Sequence, residues 1–386
     1  MRIAMIGPFG FHPKKTMRAR AFRLAQPLAQ RGHRVRLIMP PWHTPEEADK
    51  AWQEAGVEIR YLPLRGGVPG IARRLLQETL AFAPEVVHAF KPKAYSGLAA
   101  WWLWHFHRGR LRLVVDSDDW EGWGGWNELA AYSFWQKHFF AWQERWGLRH
   151  CHALTVASRA LQSLAWAGGV PPQRTFYLPN GPGIGGDTAG AAARRAELGL
   201  TGRPVLLLYS RLFEFDAGRL VAVLQKVQEA IPELALLAVG AGLYEEDAAA
   251  LRQRLAATGL ADAVRDVGWL PEEALPPTLA AADVGLYLMD DTLLNRTKCP
   301  VKLADMLSVG VPVVAEAVGQ VPEYVVHRET GLLSPVGDTA GLAIGIVHLL
   351  HNKPLHDRLA AGARAHVQRT FSWERLAQCA ERAYGL

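Results

Sequence analysis

The sequence is poor in cysteine and has no long apolar run. Its 386 residues include three cysteines, Cys151, Cys299 and Cys379, which lie far apart in the chain. An odd number at these spacings fits neither a disulfide framework nor a zinc site, so we expect a reducing, cytoplasmic environment. The longest apolar stretch, over residues 97–106, falls well short of the ~20 residues that span a bilayer. The opening residues 1–6 are too short for a signal peptide and predict a buried strand.

Charge is distributed unevenly along the chain. Residues 1–182 carry 24 Lys and Arg against 13 Asp and Glu, a net charge of +11, whereas the remainder carries −5. A basic half of this kind could meet nucleic acid, anionic lipid or a phosphorylated substrate. It could equally be an arginine-rich solvated surface, and the charges alone do not decide between these alternatives.

Short apolar segments alternate with helical sequence in both halves of the chain. A helix over residues 19–31 has one apolar face and ends at Gly32, and crossover helices of this kind join parallel strands. Ser372 is the expected N-cap of the last helix. Strands are predicted at residues 3–6, 35–39, 86–89, 111–116 and 153–157, and again at 205–209, 235–239, 264–267, 284–288 and 311–314.

This alternation predicts an α/β protein built from two Rossmann-like, doubly wound domains that face each other across a cleft. Residues 178–186 are rich in Pro, Gly and Asn and form the expected linker. The predicted domains are residues 1–182 and residues 183–386. Open α/β sheets bind ligands beyond the carboxyl ends of their strands, so the functional residues should lie in the βα loops.

The first βα loop combines glycines with two lysines just before a helix. Glycine lets backbone N–H groups approach a ligand, and the helix N-terminus adds partial positive charge, which favours a phosphate or an anionic sugar. The spacing matches neither a P-loop nor a Gly-x-Gly-x-x-Gly motif. The candidate residues of this loop are Gly10, Lys14, Lys15 and Thr16.

An acidic loop follows the strand predicted at residues 111–116. Residues 116–128 contain five carboxylates among glycines and tryptophans. Carboxylates can act as bases or accept hydroxyl hydrogen bonds, and tryptophan rings stack on the apolar faces of sugars. The alternative is a solvated acidic loop whose tryptophans belong to a core. The basic surroundings and the absence of a suitably spaced His disfavour a metal site.

Aromatic residues recur at positions 135, 139, 142 and 146, which share one face of a predicted helix. Such a stripe usually belongs to a core. Further aromatic residues and basic flanks widen the stripe, so a membrane-surface or lipid-acceptor role remains open.

Four features of the second half favour a nucleotide ligand. Arg211 follows a strand directly and could clamp a diphosphate, although a structural ion pair is the alternative. Gly240 and Trp269 also follow strands, where backbone can approach a nucleoside. Lys302 and Asp305 lie one turn apart at the start of a helix that Pro300 opens, so cation and carboxylate are presented together. A diphosphate on Lys302 and a ribose diol on Asp305 would use both charges, and a local ion pair is the alternative.

In the order of its motifs, the chain resembles the family 4 glycosyltransferases of the GT-B fold over essentially its whole length. The similar segments are Gly32-His33-Arg34-Val35, Val86-Val87-His88-Ala89, Thr155-Val156-Ala157-Ser158, Leu178-Pro179-Asn180-Gly181, Ser210-Arg211-Leu212, Val239-Gly240-Ala241-Gly242, Ala282-Asp283-Val284, residues 305–314 and Glu329-Thr330-Gly331-Leu332-Leu333.

The resemblance implies transfer of a sugar from a nucleoside diphosphate with retention of configuration, without a metal or another cofactor. Arg211 and Lys302 would stabilise the departing diphosphate. Asp305 matches the second acid of the family's Glu-x7-Glu pattern, which holds the ribose. The GT-B fold also implies that the C-terminal helix returns to the N-terminal domain.

The chain departs from the family pattern at three places. Thr297 occupies the position of the first acid, which removes a carboxylate contact to the donor sugar. A lysine that often follows the Arg-Leu motif is missing, and Lys302, with Lys298, could replace it. The family's histidine near the reaction centre is replaced by residues 117–119, so Asp118 or Asp119 is expected to meet acceptor or donor-sugar hydroxyls.

The sequence therefore predicts a cytoplasmic retaining glycosyltransferase whose N-terminal domain binds a glycan or lipid-linked acceptor. A phosphorylated or lipid-linked acceptor at the inner, anionic membrane surface is expected, with a role in cell-surface glycan, polysaccharide or glycolipid synthesis. No nucleic-acid partner is expected. The alternatives are a GT-B nucleotide-sugar 2-epimerase, which would need no acceptor, and a nucleotide-sugar-binding protein that has lost catalysis.

Overall fold

The structure is a computed structural model that describes residues 1–12, 16–242 and 245–386. Lys14 and Lys15 of the predicted phosphate loop lie outside the described residues. The chain divides into two α/β units. The first unit contains Met1–Gly181, Thr297–Cys299 and Ser372–Leu386, and the second contains Pro182–Arg296 and Pro300–Phe371.

The first unit is built on an eight-stranded sheet with the order β3-β4-β2-β1-β5-β6-β7-β8. Its pairs are parallel except for the antiparallel hairpin β3–β4. The strands are β1 (Arg2–Ile6), β2 (Arg34–Met39), β3 (Ala51–Glu54), β4 (Val57–Tyr61), β5 (Val86–Phe90), β6 (Arg112–Ser117), β7 (Ala153–Val156) and β8 (Thr175–Tyr177).

Helices cover both faces of this sheet, as crossover connections require. A π-helical segment, Met17–Phe22, leads directly into the first α-helix. The helices are α1 (Arg23–Gln30), α2 (Gly67–Ala81), α3 (Ala94–His107), α4 (Trp126–Leu129), α5 (Phe134–Arg149) and α6 (Arg159–Ala167).

The second unit carries a six-stranded parallel sheet with the order β11-β10-β9-β12-β13-β14. Its strands are β9 (Val205–Tyr209), β10 (Ala235–Val239), β11 (Val264–Asp266), β12 (Val284–Tyr287), β13 (Val313–Glu316) and β14 (Gly331–Ser334). Its helices are α7 (Ala191–Glu197), α8 (Ala217–Ala230), α9 (Glu245–Ala257), α10 (Leu275–Leu279), α11 (Leu293–Thr297), α12 (Val301–Ser308), α13 (Val321–Tyr324), α14 (Thr339–His351) and α15 (Lys353–Phe371).

The last helix, α16 (Trp373–Tyr384), belongs to the first unit, as the fold prediction requires. Its apolar face, which includes Leu376 and Ala380, joins the core beneath β1 that contains Ile3 and Phe22. Ser372 takes the extended N-cap conformation, but its side chain makes no capping hydrogen bond. Burial of the helix face, and not the cap, therefore anchors the C-terminus.

The α/β class with parallel sheets is confirmed, and the ten predicted strands all appear. The last of them is displaced, because Gly310 has a φ of +80° and the chain is extended again only from residue 313. The sequence reading missed β3, β4, β8 and β14. All four lie at or next to a sheet edge, and each has five residues or fewer.

The interpretation of the α5 aromatic stripe as core is wrong. Trp135 is 78% exposed and Trp142 44%, whereas the buried residues of α5 are Ala141, Gln143, Glu144, Gly147 and Leu148. The helix therefore buries small and polar residues and turns its aromatic residues outward, which is the reverse of an ordinary soluble amphipathic helix.

Candidate functional site

Lys302 in the second unit lies against two aromatic rings. Its Nζ is 4.1 Å from the ring centroid of Tyr209, at the end of β9, and 5.2 Å from that of Trp269, which follows β11. Such cation–π contacts fix the direction of the ammonium group. Gly240 lies beside the same ammonium group, since a Cβ at this position would be 3.2 Å from Nζ. Its φ of +59° also favours glycine. The structure thus brings together three predicted donor residues, Lys302 from the first turn of α12 and Gly240 and Trp269 from the loops after β10 and β11.

Asp305 lies one turn further along α12 and is buried, with 2% of its surface exposed. Its Oδ1 accepts a 2.6 Å hydrogen bond from the amide of Gly183. Burial and the negative charge of Asp305 raise the pKa of the Tyr209 hydroxyl, which keeps that ring neutral beside Lys302. A fixed carboxylate and a fixed ammonium group therefore share one helix turn.

Arg211 occupies the loop after β9, as the sequence predicts, but a carboxylate already engages it. Its Nη2 lies 3.0 Å from Oε1 of Glu214, and a third of its side chain is exposed. The intervening Leu212 has a φ of +72°, which is unusual for a residue with a side chain. Its backbone amide donates a hydrogen bond to Ser210 Oγ at 3.0 Å. Sparsely populated backbone of this kind gathers at binding sites. The diphosphate role of Arg211 stays a prediction.

Thr297, the last residue of α11, and Lys298 are grouped with the first unit, whereas Lys302 belongs to the second. Ser158 Oγ donates to the carbonyl oxygen of Thr297 at 2.7 Å, and the side-chain amide of Asn180 donates to that of Cys299 at 3.0 Å. Lys298 Nζ lies 5.6 Å from the ring centroid of Trp126. The donor-binding role of both residues stays a prediction.

A buried ion pair underlies the acidic loop of the first unit. Arg20, in the π-helical segment, donates from Nε and Nη2 to the two carboxylate oxygens of Asp116, each at 2.7 Å. Thr155 adds a third hydrogen bond to Asp116 at 2.6 Å. Arg20 also donates to Asn180 and to the carbonyl oxygen of Leu178. Asp116 therefore stabilises the fold of the first unit, and its partner Arg20 was not predicted from the sequence.

Lys91 is the second residue that sequence reasoning missed. It follows β5 directly, and its Nζ lies 3.1 Å from Asp118, 3.2 Å from Asp119 and 2.9 Å from Glu121. Burial would lower the pKa of Lys91, but these carboxylates raise it well above the ordinary value, so the ammonium group stays charged. The cluster brings together both predicted catalytic aspartates.

The carboxylates of this cluster differ in basicity. Burial raises the pKa of Asp118 to about 6, against the opposing effect of Lys91. Burial also acts to raise the pKa of Glu121, but Lys91 and Lys93 outweigh it and hold that pKa at about 2. Asp119 is more open, with 22% of its side chain exposed. A pKa of about 6 places the protonation change of Asp118 near neutral pH, which suits proton transfer.

Glu144, on the buried side of α5, offers a test of these electrostatics. Burial raises its pKa to about 8, and the charge of Glu121 adds to the effect. The pKa of Glu144 in the folded protein lies above its ordinary value of 4.5. The contribution of this side chain to the free energy of unfolding is therefore complete below pH ~4.5, and it is lost as the pH rises to ~8. We expect Glu144→Gln to remove this loss.

The free energies of unfolding of Glu144→Gln and the native protein, from urea denaturation, should differ more at pH 8.5 than at pH 5. The expected change, in favour of the variant, is on the order of 4 kcal/mol, because each pH unit between 5 and ~8 contributes about 1.4 kcal/mol. Glu128→Gln, at an exposed position of the same region, is the control and should show no such change. An equal difference at both pH values would show that Glu144 is ionised in the folded protein.

The first βα loop is described in part. Gly10 packs against Tyr61, whose hydroxyl accepts the amide hydrogen bond of Phe11 at 2.9 Å, and a Cβ at Gly10 would lie 3.1 Å from that oxygen. Thr16 precedes the π-helical segment and makes no side-chain capping bond. The phosphate role of Gly10 and Thr16 stays a prediction.

The described residues contain no group of three or more His, Cys, Asp or Glu side chains placed to hold a metal ion. Within the same part of the chain, no helix is both long and apolar enough to cross a bilayer.

Comparison with known proteins identifies the family. The model of the glycosyl transferase 4-like domain matches residues 15–181, and that of glycosyl transferases group 1 matches residues 203–352. This chain is a family 4 glycosyltransferase of the GT-B fold. The two matched domains cover most of the chain, and each carries one of the parallel sheets described above.

Curated relatives of this glycosyltransferase match it over its full length or over about half of it. A phosphatidyl-myo-inositol mannosyltransferase of Mycobacterium leprae is 25% identical over 395 residues, which cover 100% of this chain and 96% of the relative. A GDP-mannose-dependent monoacylated alpha-(1-6)-phosphatidylinositol monomannoside mannosyltransferase of Corynebacterium glutamicum is 31% identical over 189 residues, 47% of this chain and 48% of its own length.

Solved structures confirm the GT-B fold of this glycosyltransferase. Sucrose-phosphate synthase from Thermosynechococcus elongatus is 21% identical with a TM-score of 0.73, covering 100% of this chain and 98% of the other. An Anabaena protein crystallised with UDP and glucose is 18% identical with a TM-score of 0.74, and the match covers both chains completely.

Proposed function

We propose that the protein transfers a sugar, with retention of configuration, from a nucleoside diphosphate sugar to a lipid-linked acceptor. Full-length relatives from M. leprae and M. tuberculosis are phosphatidyl-myo-inositol mannosyltransferases. The Anabaena structure, which shares the fold, was solved with UDP-glucose. These relatives support both substrates, and the acceptor class agrees with a role in glycolipid or cell-surface glycan synthesis in the cytoplasm.

The observation that carries the proposal is the placement of Lys302 and Asp305 on one turn of α12. Lys302 supplies the positive charge that a leaving diphosphate requires. Its contacts with the rings of Tyr209 and Trp269 fix the direction of the ammonium group. Asp305 offers a fixed carboxylate for the ribose hydroxyls. No metal or other cofactor is required in this scheme, because protein cations compensate the developing phosphate charge.

Asp118 is the proposed contact to the reacting hydroxyl groups. Its pKa of about 6 lets it accept a proton or a hydrogen bond at neutral pH, while Lys91 limits the cost of its charge. Asp119 is more exposed and is the second candidate in the same loop. Both act from the end of β6, where open α/β sheets bind ligands.

A transfer assay tests the proposal. The protein is incubated with GDP-mannose or UDP-glucose and phosphatidylinositol in detergent, the product is detected by mass spectrometry, and its anomeric configuration is determined by NMR. We expect a glycolipid with the configuration of the donor. An inverted product would refute the retaining assignment, and an epimerised donor formed without acceptor would favour the 2-epimerase alternative.

In this assay Asp118→Asn should reduce the initial rate by roughly 100-fold or more, within the range of general acid–base contributions. The substitution keeps the shape of the side chain and removes its basicity. Glu128→Gln is the matched control and should retain the native rate. Equal rates for the two variants would exclude Asp118 from the reaction.

A further inference from the structure

The outer surface of α3 and α5 is an aromatic face, formed by residues 101–106 of α3 and residues 134–146 of α5. Trp135 is 78% exposed, Phe134 63% and Phe106 60%. The other exposed large side chains of the face are Trp102, Phe139 and Trp142. Soluble proteins seldom expose so many large apolar groups together, and such patches mark interaction surfaces.

The rings of this face form a connected surface. His105 of α3 stacks on Trp146 of α5 with centroids 5.6 Å apart, which joins the two helices. Trp146 contacts Trp142 at 6.2 Å, and Trp142 stacks on Phe139 at 5.8 Å. Phe106, Trp142 and Phe139 therefore belong to one continuous patch across two helices, and Phe134 and Trp135 contact each other at the start of α5.

The opposite side of α5 explains why the aromatic residues point outward. Gln143 exchanges two hydrogen bonds with the backbone of Ala94, at 2.7 and 3.1 Å. A Cβ at Gly97 would lie 2.6 Å from the amide nitrogen of Gln143, and one at Gly147 would lie 2.6 Å from Pro92. The inner side of α5 is thus specified by close contacts with small and polar residues, so a rotation that buries the aromatic rings is excluded.

The charge of the aromatic face has one sign. Helices α3 and α5 contain a single acidic residue, Glu144, which is buried. Exposed or half-exposed basic residues accompany the rings, among them Lys137, Arg145 and Arg108. Aromatic rings at headgroup depth combined with cations that attract anionic lipid are the features of an interfacial membrane helix.

We propose that the aromatic face docks the protein on the surface of a bilayer that contains anionic lipid. The rings enter the headgroup region, and the basic side chains meet lipid phosphates. The proposal rests on the proposed function in one respect, because a lipid-linked acceptor is presented at such a surface. Docking through α3 and α5 also explains why a water-exposed helix keeps aromatic residues at four successive positions of one stripe.

Vesicle sedimentation tests the proposal on the full chain. We expect binding to vesicles of phosphatidylglycerol and phosphatidylcholine, weaker binding to phosphatidylcholine alone, and a loss of binding at high salt. Trp142→Ala should weaken binding to the anionic vesicles roughly tenfold, since a bilayer-inserted aromatic side chain is removed. Absence of sedimentation with the anionic vesicles, or binding that salt does not change, would contradict the proposal.

Matched variants separate the contribution of the aromatic face from that of an exposed tryptophan or arginine elsewhere on the surface. Trp166→Ala removes a tryptophan of the same exposure, 43% against 44% for Trp142, outside the face and should bind like the native protein. Arg145→Glu should weaken binding, whereas Arg73→Glu, at an exposed position on α2, should weaken it less. If the two tryptophan variants lost vesicle binding equally, or if the two arginine variants did, the assignment of this surface would be overturned.

Two further readouts distinguish the other outcomes. If Trp142→Ala dissociates a dimer in analytical ultracentrifugation and leaves vesicle binding unchanged, the face is an interface between copies and the proposal is wrong. Transfer to a detergent-solubilised acceptor should persist in Trp142→Ala, while transfer to an acceptor embedded in vesicles should fall. Vesicle binding without any transfer activity would leave docking intact and refute the proposed function instead.

Discussion

Lys302→Ala is expected to weaken the binding of a nucleoside diphosphate by roughly 10- to 100-fold, the equivalent of one charge-assisted hydrogen bond to phosphate. The ammonium group of Lys302 is held against Tyr209 and Trp269, and α12 contains no other basic residue that could take its place. Isothermal titration with UDP and GDP measures the effect.

Lys226→Ala provides the control, because Lys226 lies at an exposed position of α8 in the same unit. Both variants should unfold at the temperature of the native protein, and Lys226→Ala should bind nucleotide with unchanged affinity. If Lys302→Ala also bound the nucleotides unchanged, Lys302 would have no role in donor binding and the proposed leaving-group stabilisation would fail.

Asp116→Ala is expected to lower the free energy of unfolding by ~3–5 kcal/mol, because it leaves the buried guanidinium of Arg20 without its carboxylate. Arg20 and Asp116 are 2% and 0% exposed, and two parallel hydrogen bonds join them. The loss should be visible in urea denaturation followed by circular dichroism.

Two comparisons separate this loss from the simple removal of a carboxylate. Glu245→Ala breaks an exposed ion pair with Arg252 and should cost less than ~1 kcal/mol. The double variant Arg20→Met with Asp116→Ala should lose less stability than the sum of the single variants, since no buried charge is left unpaired. Additive losses would indicate that the pair is not coupled.

The periodicity of the sequence was sufficient for the two parallel sheets, because central strands are continuous apolar runs bounded by turn residues. The edge hairpin β3–β4 was missed because neither strand is a continuous apolar run and both include charged side chains. For helix α5 the sequence left a core stripe and a membrane-surface stripe open, and the exposure of its aromatic residues excludes the first. Its aromatic spacing is compatible with either orientation, and the contacts of Gly97, Gly147 and Gln143 decide between them.

Part of the candidate site could also be predicted from the sequence. Lys302 and Asp305 are neighbours on one helix turn, so their spacing was enough to place them together. The association of Lys91 with Asp118 depends on the pairing of β5 and β6, in which Phe90 lies opposite Asp116. The available signal was that both residues follow predicted strands directly, and strands that are consecutive along a parallel sheet end at the same edge.

Arg20 could not be assigned in this way. It lies in a helical segment that also carries Arg18, and the chain gives no sign that a π-helical turn directs its side chain towards Asp116. Charge counts treated it as part of a basic surface, whereas its contacts place it in the interior of the first unit.

The central claim, that the second unit holds a nucleoside diphosphate sugar at Lys302 and Asp305, is tested most directly by thermal unfolding of the native protein with UDP, GDP, ADP and their sugar derivatives. We expect at least one nucleoside diphosphate and its sugar to raise the melting temperature in a concentration-dependent manner, as selective binding to the folded state requires. A melting temperature that none of these compounds raises, at concentrations up to several millimolar, would contradict the claim.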